Sequence, residues 1–490
     1  MKKHIRIYRC FVCLLFAMSL ITISGCETAS PKEPIREKEV SQGVDTDNSS
    51  ETLTILTVYQ NDELTRLIKE FESLHQEVDI EVEVGIRSSA DVGRLDSWDN
   101  FMEELAVNLM SGDGPDILVD PGVFTPLQYH QSGVVYNLRE WMDQDQEFHL
   151  EDYYENLFQA YEIEGKQYTM PTRVSLNVVY LNKTLCDIAE KSFSSWDTLD
   201  YTEILDIWQS AERLGAIPPD FTLEFMDQRG KCNLFIDAEL PDFVDVQAGT
   251  SSFDSPEFIQ YLQDTKAIPS TRAASEIMMV TGGNILEQFA LSNEETNSSL
   301  LLIDTVGVET LRNVLQVPEN CVGPLFLTSR KGNISFTPAL ASLVVPKSCS
   351  NPDLAWEFLK FCIAPVDEPA YYSIYHPKGS VDIIQGNTLP IAKKNLRNYG
   401  ELYGKVGSVL EKDSQITDDF DPTLIESPFS DGFFEQVDQV LSLYKNPVDS
   451  LGRLGTIYTP ILQQYYDTGT LSAEACAKSI QQKAGIWLRE

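Results

Sequence analysis

Leu53-Thr54-Ile55-Leu56-Thr57-Val58 opens the stretch whose changes of period decide the fold. It is a short β-rich run. From Asp62 the period turns helical, with Leu64, Leu67, Ile68, Phe71 and Leu74 on one face. Val78, Ile80, Val82 and Val84 then alternate with Asp79, Glu81 and Glu83, which predicts a strand with one wet face. Phe101, Met102, Leu105 and Leu109 mark a second helix, ended by Gly112-Asp113-Gly114-Pro115-Asp116. Glycine releases the chain from helical geometry there and proline prevents its return. Ile117-Leu118-Val119 is the next strand. The order β-α-β-α-β predicts a parallel sheet with helices on both faces. Ligands of such sheets bind beyond the carboxyl ends of the strands, here Tyr59-Gln60 and Asp120-Pro121.

Upstream of this sheet the chain reads as an address. Lys2, Lys3, Arg6 and Arg9 precede an apolar run from Phe11 to Ile23. The run is shorter than the ~17–25 residues of a spanning helix, so a signal peptide over residues 1–25 is expected. Ile23-Ser24-Gly25-Cys26 resembles a bacterial lipobox, which implies cleavage before Cys26, acylation (palmitate) of its thiol and anchoring at the extracytoplasmic face of the cell membrane. Residues 26–51 follow as a tether, rich in Pro, Gly, Ser and charge and poor in aliphatics.

The body is large enough for two or three domains, and 42% hydrophobic residues support real cores. The net charge of −38 argues against nucleic-acid and anionic-lipid binding. Six cysteines remain after Cys26, at 186, 232, 321, 349, 362 and 476, with wide, irregular spacing. Cys362 and Cys476 fall on apolar helical faces and read as buried thiols. Beyond residue 26, the four scattered histidines and the lack of a C-x-x-C give no metal motif, and no cofactor is expected. Neither G-x-S-x-G nor H-E-x-x-H occurs, and no spacing favours a carboxylate pair for glycoside hydrolysis, so an enzyme is not expected.

Five segments carry a resemblance to the bacterial extracellular solute-binding proteins of ABC importers, the sugar-type group. They are Leu53 to Val84, with Glu70-Phe71 and Val78 in place; Leu109 to Ile117 around Gly-Asp-Gly-Pro-Asp; and Gly165 to Pro171 with Val179-Tyr180-Leu181-Asn182-Lys183 and Ser195-Trp196-Asp197. Lys347 to Leu359 and the helix from Ser472 complete the set. Residues 215–340 match weakly, and the family's Gly-aromatic-Pro stretch survives only as Val322-Gly323-Pro324.

The resemblance implies an α/β, two-lobe periplasmic-binding-protein fold of type II, each lobe a mixed or parallel sheet flanked by helices, with a ligand cleft between them. Lobe one would comprise residues 52–172 and 341–425, and lobe two residues 173–340 and 426–490. It implies a monomer that captures a mono- or oligosaccharide and delivers it to permease subunits. Capture of a peptide or polyamine, or a sensory role, is the alternative.

A sugar site needs side chains that make two hydrogen bonds, together with flat aromatic faces. Tyr59 and Gln60 end the first strand, and Asp120 ends a strand at the expected cleft. Arg173 stands at the crossing between lobes. Trp196 begins a helix-entry motif where core packing competes with ligand contact. Asp431 and Phe433 precede a helix at a place where sugar binders carry an aromatic platform. Gly282-Gly283-Asn284 reads as a turn, and Trp208 as core.

Overall fold

The computed structural model describes residues 51–58, 62–86, 95–120, 124–225, 235–268, 285–294, 296–308, 310–336, 342–367, 372–373, 376–377, 388–410, 421–430, 432–447 and 452–489. The leader, Cys26, the tether up to Ser50, Tyr59, Gln60, Cys232, Gly282-Gly283-Asn284 and Asp431 lie outside these residues, and Glu51, placed in the tether, begins β1. The elements that position the site are, in chain order, β1 (Glu51–Thr57), α1 (Asp62–Leu74), β2 (Val78–Val84), α2 (Leu95–Ser111), β3 (Ile117–Asp120), α3 (Pro126–Ser132), β4 (Leu176–Asn182), β5 (Thr198–Asp200), α4 (Tyr201–Arg213), β6 (Thr222–Glu224), α5 (Ile236–Phe243), α6 (Ile285–Glu294), β7 (Ser299–Val306), β8 (Cys321–Thr328), β9 (Ser342–Val344), α7 (Pro352–Ile363), α8 (Lys393–Leu410), α9 (Phe433–Leu443), α10 (Gly452–Tyr466) and α11 (Ala473–Trp487).

Two sheets organise the chain. The first runs β9-β3-β1-β2, with β1, β2 and β3 parallel and β9 antiparallel at the edge. Leu53, Ile55, Ile117 and Val119 face one core with Leu64, Leu67, Ile68 and Phe71 of α1. Leu118 and Val344 face the other side, against Phe101, Met102, Leu105 and Leu109 of α2. Helices therefore cover both faces, as the strand order requires. Leu74 departs from the expected stripe: it closes the last turn of α1 and is 65% exposed. Val82, in the second half of the edge strand β2, is also exposed.

The Gly-Asp-Gly-Pro-Asp turn is a keystone. Gly112 has φ +83°, a left-handed value that ends α2 without steric cost. Asp116 accepts the Thr54 N–H at 2.7 Å, the Thr54 hydroxyl at 2.8 Å, the Ser350 N–H at 2.6 Å and the Ser350 hydroxyl at 2.9 Å. One carboxylate thus ties β1 and β3 to the segment entering α7. Burial opposes its charge, but these hydrogen bonds together hold its carboxyl below the usual value. Asn351 caps α7 through the Leu354 N–H at 3.2 Å, and Pro352 occupies the first turn.

The second sheet runs β5-β8-β4-β7-β6. β4 is antiparallel to both of its neighbours, while β5 lies parallel to β8 and β6 parallel to β7. Val179, Leu181, Leu301 and Leu325 on one face pack with α10 and α11, whose Cys476, Ala477, Ile480, Ala484 and Trp487 are buried as their spacing predicts. Trp208 joins this core. On the opposite face Leu176, Val178, Tyr180 and Leu302 belong to a cluster that continues into the first sheet. The architecture is the two-lobe α/β fold. Cys186, Cys321, Cys349, Cys362 and Cys476 are buried and form no disulfide among the described residues. Burial pushes Cys186, Cys349 and Cys476 up to about 12, so they are inert core groups. No helix among the described residues is long and apolar enough to cross a membrane.

Candidate functional site

The strand directions locate the site. In the first sheet β9 begins where β3 ends, with Ser342 opposite Asp120. In the second, β4 begins where β7 ends, with Leu176 opposite Val306. Chain entering either sheet from the other therefore arrives at the carboxyl ends of the parallel strands. Buried polar side chains gather at these ends: Thr57, Asp120 and Ser342 on the first sheet, Glu224 and Thr328 on the second, and Arg173 and Ser175 on the segment leading into β4. The opposite end of the second sheet also buries polar groups, but there Asn182, Ser299 and Asn293 bond one another; the carboxyl ends are where sheets of this kind bind ligands, so the groups there are the site candidates.

On the first sheet the Tyr129 hydroxyl donates to Asp120 Oδ2 at 2.8 Å. Tyr129 is held by α3, which starts with a capping box between Thr125 and Gln128. Burial, then the Asp120 charge, pushes the Tyr129 phenol far above its ordinary range, so it stays a donor. Beside Asp120 in the ladder, the Ser342 hydroxyl is buried with no hydrogen-bond partner among the described residues.

On the second sheet Glu224 ends β6, buried at 2% exposure. Beyond β8, the turn from Ser329 to Asn333 is clamped to α5. The Ser329 hydroxyl and the Asn333 amide donate to Asp242 Oδ1, each at 2.8 Å. Arg330 donates its backbone N–H to Glu239 at 3.0 Å and its Nε at 3.2 Å, and its guanidinium lies 5.4 Å from the Tyr201 ring centroid. Burial raises the Glu239 carboxyl to about 7 in spite of Arg330. The clamp sets the shape of the rim rather than offering free groups to a ligand.

The structure disperses the residues singled out from the sequence. Asp120 stands at the rim, engaged by Tyr129. Arg173 is buried and lines a small pocket with Thr172, Cys362, Pro390, Asn395 and Tyr399. Its short strand pairs with Leu389-Pro390 rather than with the second sheet. Trp196 lies before the amino end of β5, away from the carboxyl ends. Its φ of +74° is unusual for an aromatic residue. Its N–H donates to the Pro324 carbonyl at 2.7 Å, and Ser195 Oγ donates to the Gly323 carbonyl at 3.0 Å. Phe433 is 2% exposed and stacks on Phe429 at 4.4 Å. Trp196 and Phe433 do meet, edge to face at 5.9 Å, and the indole also meets Phe326 at 5.7 Å. That contact makes an aromatic brace between β8 and α9. Ser175, Glu224, Thr328 and Ser342 were not legible as site residues, because nothing local distinguishes a serine or glutamate at a strand end from one on the surface. No group of three or more His, Cys, Asp or Glu side chains among the described residues could hold a metal.

A family description, bacterial extracellular solute-binding protein, matches residues 67–376. No curated protein shows significant sequence similarity. Among solved structures, the sugar-binding protein MalE from Xanthomonas citri is 14% identical, covers 89% of this chain and 97% of its own, and has a TM-score of 0.52. An ABC substrate-binding protein from Listeria monocytogenes, in complex with cycloalternan, is 15% identical, with 89% and 98% covered and a TM-score of 0.49. An ABC transporter solute-binding protein from Thermotoga lettingae, bound with alpha-D-tagatose, is 15% identical, with 90% and 100% covered and a TM-score of 0.47. The family match spans more than half of the chain and the fold agrees with it: the chain belongs to the bacterial extracellular solute-binding proteins.

Proposed function

We propose that the chain is the lipid-anchored binding component of an ABC importer and captures a mono- or oligosaccharide between its lobes. The observation that carries this reading is that the carboxyl ends of both sheets, where such folds bind ligands, carry buried polar side chains: Thr57, Asp120 and Ser342 on the first, Glu224 and Thr328 on the second. Side chains of this kind make directional bonds to hydroxyls, and two walls that close together bury them against a ligand. Membership of the family supports a binding role without chemistry, and the sugar-binding protein MalE shares the fold. The Ile23-Ser24-Gly25-Cys26 sequence supports acylation at Cys26, and residues 26–51 would let the body reach a permease. Residues 52–172 with 341–425, and 173–340 with 426–490, are the proposed lobes, working as a monomer. Closure follows if ligand contacts form only in the closed state; shifting a 1:99 population to 99:1 takes about 5.5 kcal/mol of differential binding.

One observation favours a second reading. Asp120 and Glu224 are carboxylates at the strand ends, and the net charge is −38, which suits a cationic ligand such as a polyamine. A thermal-shift screen of oligosaccharides, monosaccharides, peptides and polyamines separates the two. A rise in Tm with a carbohydrate is expected; a rise with spermidine alone would overturn the sugar reading. Cys26→Ser is expected to release the chain from membranes, and a variant that stays in the membrane fraction would refute the anchor.

A further inference from the structure

We propose that Asp304 and Tyr180 form a subsite that takes a hydroxyl of the ligand, inserted between the carboxylate and the phenol. The proposal rests on the reading that the cleft captures a carbohydrate, and it adds a contact on the second sheet that Asp120 and Arg173 do not supply. The ladder sets the geometry. Tyr180 of β4 stands opposite Leu302 of β7, and Val178 stands opposite Asp304. Tyr180 and Asp304 are thus diagonal neighbours on one face of the sheet, within reach of each other across an antiparallel pair.

Both groups lack what their chemistry demands. The Tyr180 ring is fully buried, and its hydroxyl has no hydrogen-bond partner among the described residues. The ring packs on Gly323, where a Cβ would come within 2.7 Å of Tyr180 Cδ1. Asp304 is half-buried near the carboxyl end of β7. Its carboxylate accepts the Thr305 N–H at 2.9 Å and meets no cation among the described residues. Burial raises the Asp304 carboxyl and, with the Asp304 charge adding to it, the Tyr180 phenol.

The two deficits select the ligand chemistry. A hydroxyl placed between the groups accepts from the phenol and donates to the carboxylate, so a single oxygen satisfies both. An ammonium would answer Asp304, but it has no acceptor and would leave the Tyr180 proton without one. The subsite therefore favours a polyhydroxylated neutral ligand over an amine. Because Asp304 is the half-exposed member and lies toward the carboxyl end of β7, the approach is from the side where the two sheets exchange chain.

The test is calorimetric titration of the full mature chain, wild type, Asp304→Asn, Tyr180→Phe and the double variant, with maltotriose, cellotriose, xylotriose, galactose, putrescine and spermidine. The best-binding carbohydrate is expected to lose about 10-fold or more in affinity with Asp304→Asn and several-fold with Tyr180→Phe. The double variant is expected to lose less than the product of the two, with Tm unchanged or raised throughout. If a carbohydrate binds the wild type and both single variants equally well, the pair holds only a bridging water and the subsite is overturned, while the carbohydrate reading stands. A wild type that binds only the amines, or none of the probes, overturns the carbohydrate reading and this subsite with it.

Discussion

The first sheet is assembled from neighbours in sequence and the second from strangers. β1, β2 and β3 follow one another through α1 and α2, and only the edge strand β9 comes from far along the chain. In the second sheet the central strand β4 pairs with β7 and β8, both drawn from more than a hundred residues away, and β5 reaches it only through β8. The contrast explains why residues 53–120 could be read element by element, while residues 215–340 gave little. It also predicts where each lobe is weak. The first depends on a local keystone at Asp116. The second depends on long-range packing, part of which it shares with the first through one continuous core.

The shared core gives the largest expected effect. Phe358 of α7 is fully buried in it and packs edge to face on Phe71 at 5.2 Å. Phe358→Ala is expected to cost about 3–5 kcal/mol. Because the cluster runs through both sheets, both lobes should lose that stability together in one urea transition. Leu223→Ala, in the cluster confined to the second lobe, should instead separate the transitions. Two transitions for the Phe358 variant would break the claim of a continuous core.

Asp116→Ala comes next, at about 2–4 kcal/mol, since it removes four hydrogen bonds to Thr54 and Ser350 at once. A loss under about 1 kcal/mol by chemical denaturation would show that the turn is punctuation rather than a keystone.

A third test uses pH. The Lys360 ammonium bonds Asp145 at 2.7 Å and the Trp356 indole N–H bonds it at 2.8 Å. Lys360 above all, with help from Trp356 and against a burial penalty, lowers the Asp145 carboxyl to about 2. A depressed folded value means the native state binds fewer protons than the unfolded chain below the ordinary carboxylate range. The stabilisation is therefore complete above about pH 4 and is lost as pH falls through about 2. Asp145→Asn is expected to cost about 1–2 kcal/mol at neutral pH and nothing near pH 2, read from Tm against pH. A difference that does not shrink in acid would refute the ion-pair account.

The smallest effect belongs to the second lobe. Asp200 ends β5 and caps α4, accepting the Thr202 N–H at 2.8 Å and the Glu203 N–H at 3.1 Å. Asp200→Ala is expected to cost about 1 kcal/mol, an ordinary cap. A loss as large as that of Asp116→Ala would mean that local turns govern both lobes equally, and the contrast between them would fail.

The site was less legible than the fold. Asp120 was found because a strand that runs into Pro121 announces its own end. Trp196 and Phe433 were chosen as aromatics near expected walls, yet they brace each other. Whether a ring faces a ligand or a neighbour depends on α9, which is more than two hundred residues from Trp196. Ser342 and Asp304 carried no signal, because their meaning comes from the strands opposite them.

By itself the sequence determined the elements from Leu53 to Val119, the stop at Gly112 and the buried thiols of Cys362 and Cys476. Each rests on bonds and periodicities spanning a few residues, which local sequence specifies completely. Only the tertiary structure decided that β4 runs against its neighbours, that one core joins the two sheets, and that Tyr180 and Asp304 share a face. Those are pairings between distant segments. They are settled by which apolar surfaces can be buried together, and no short stretch of chain contains that information.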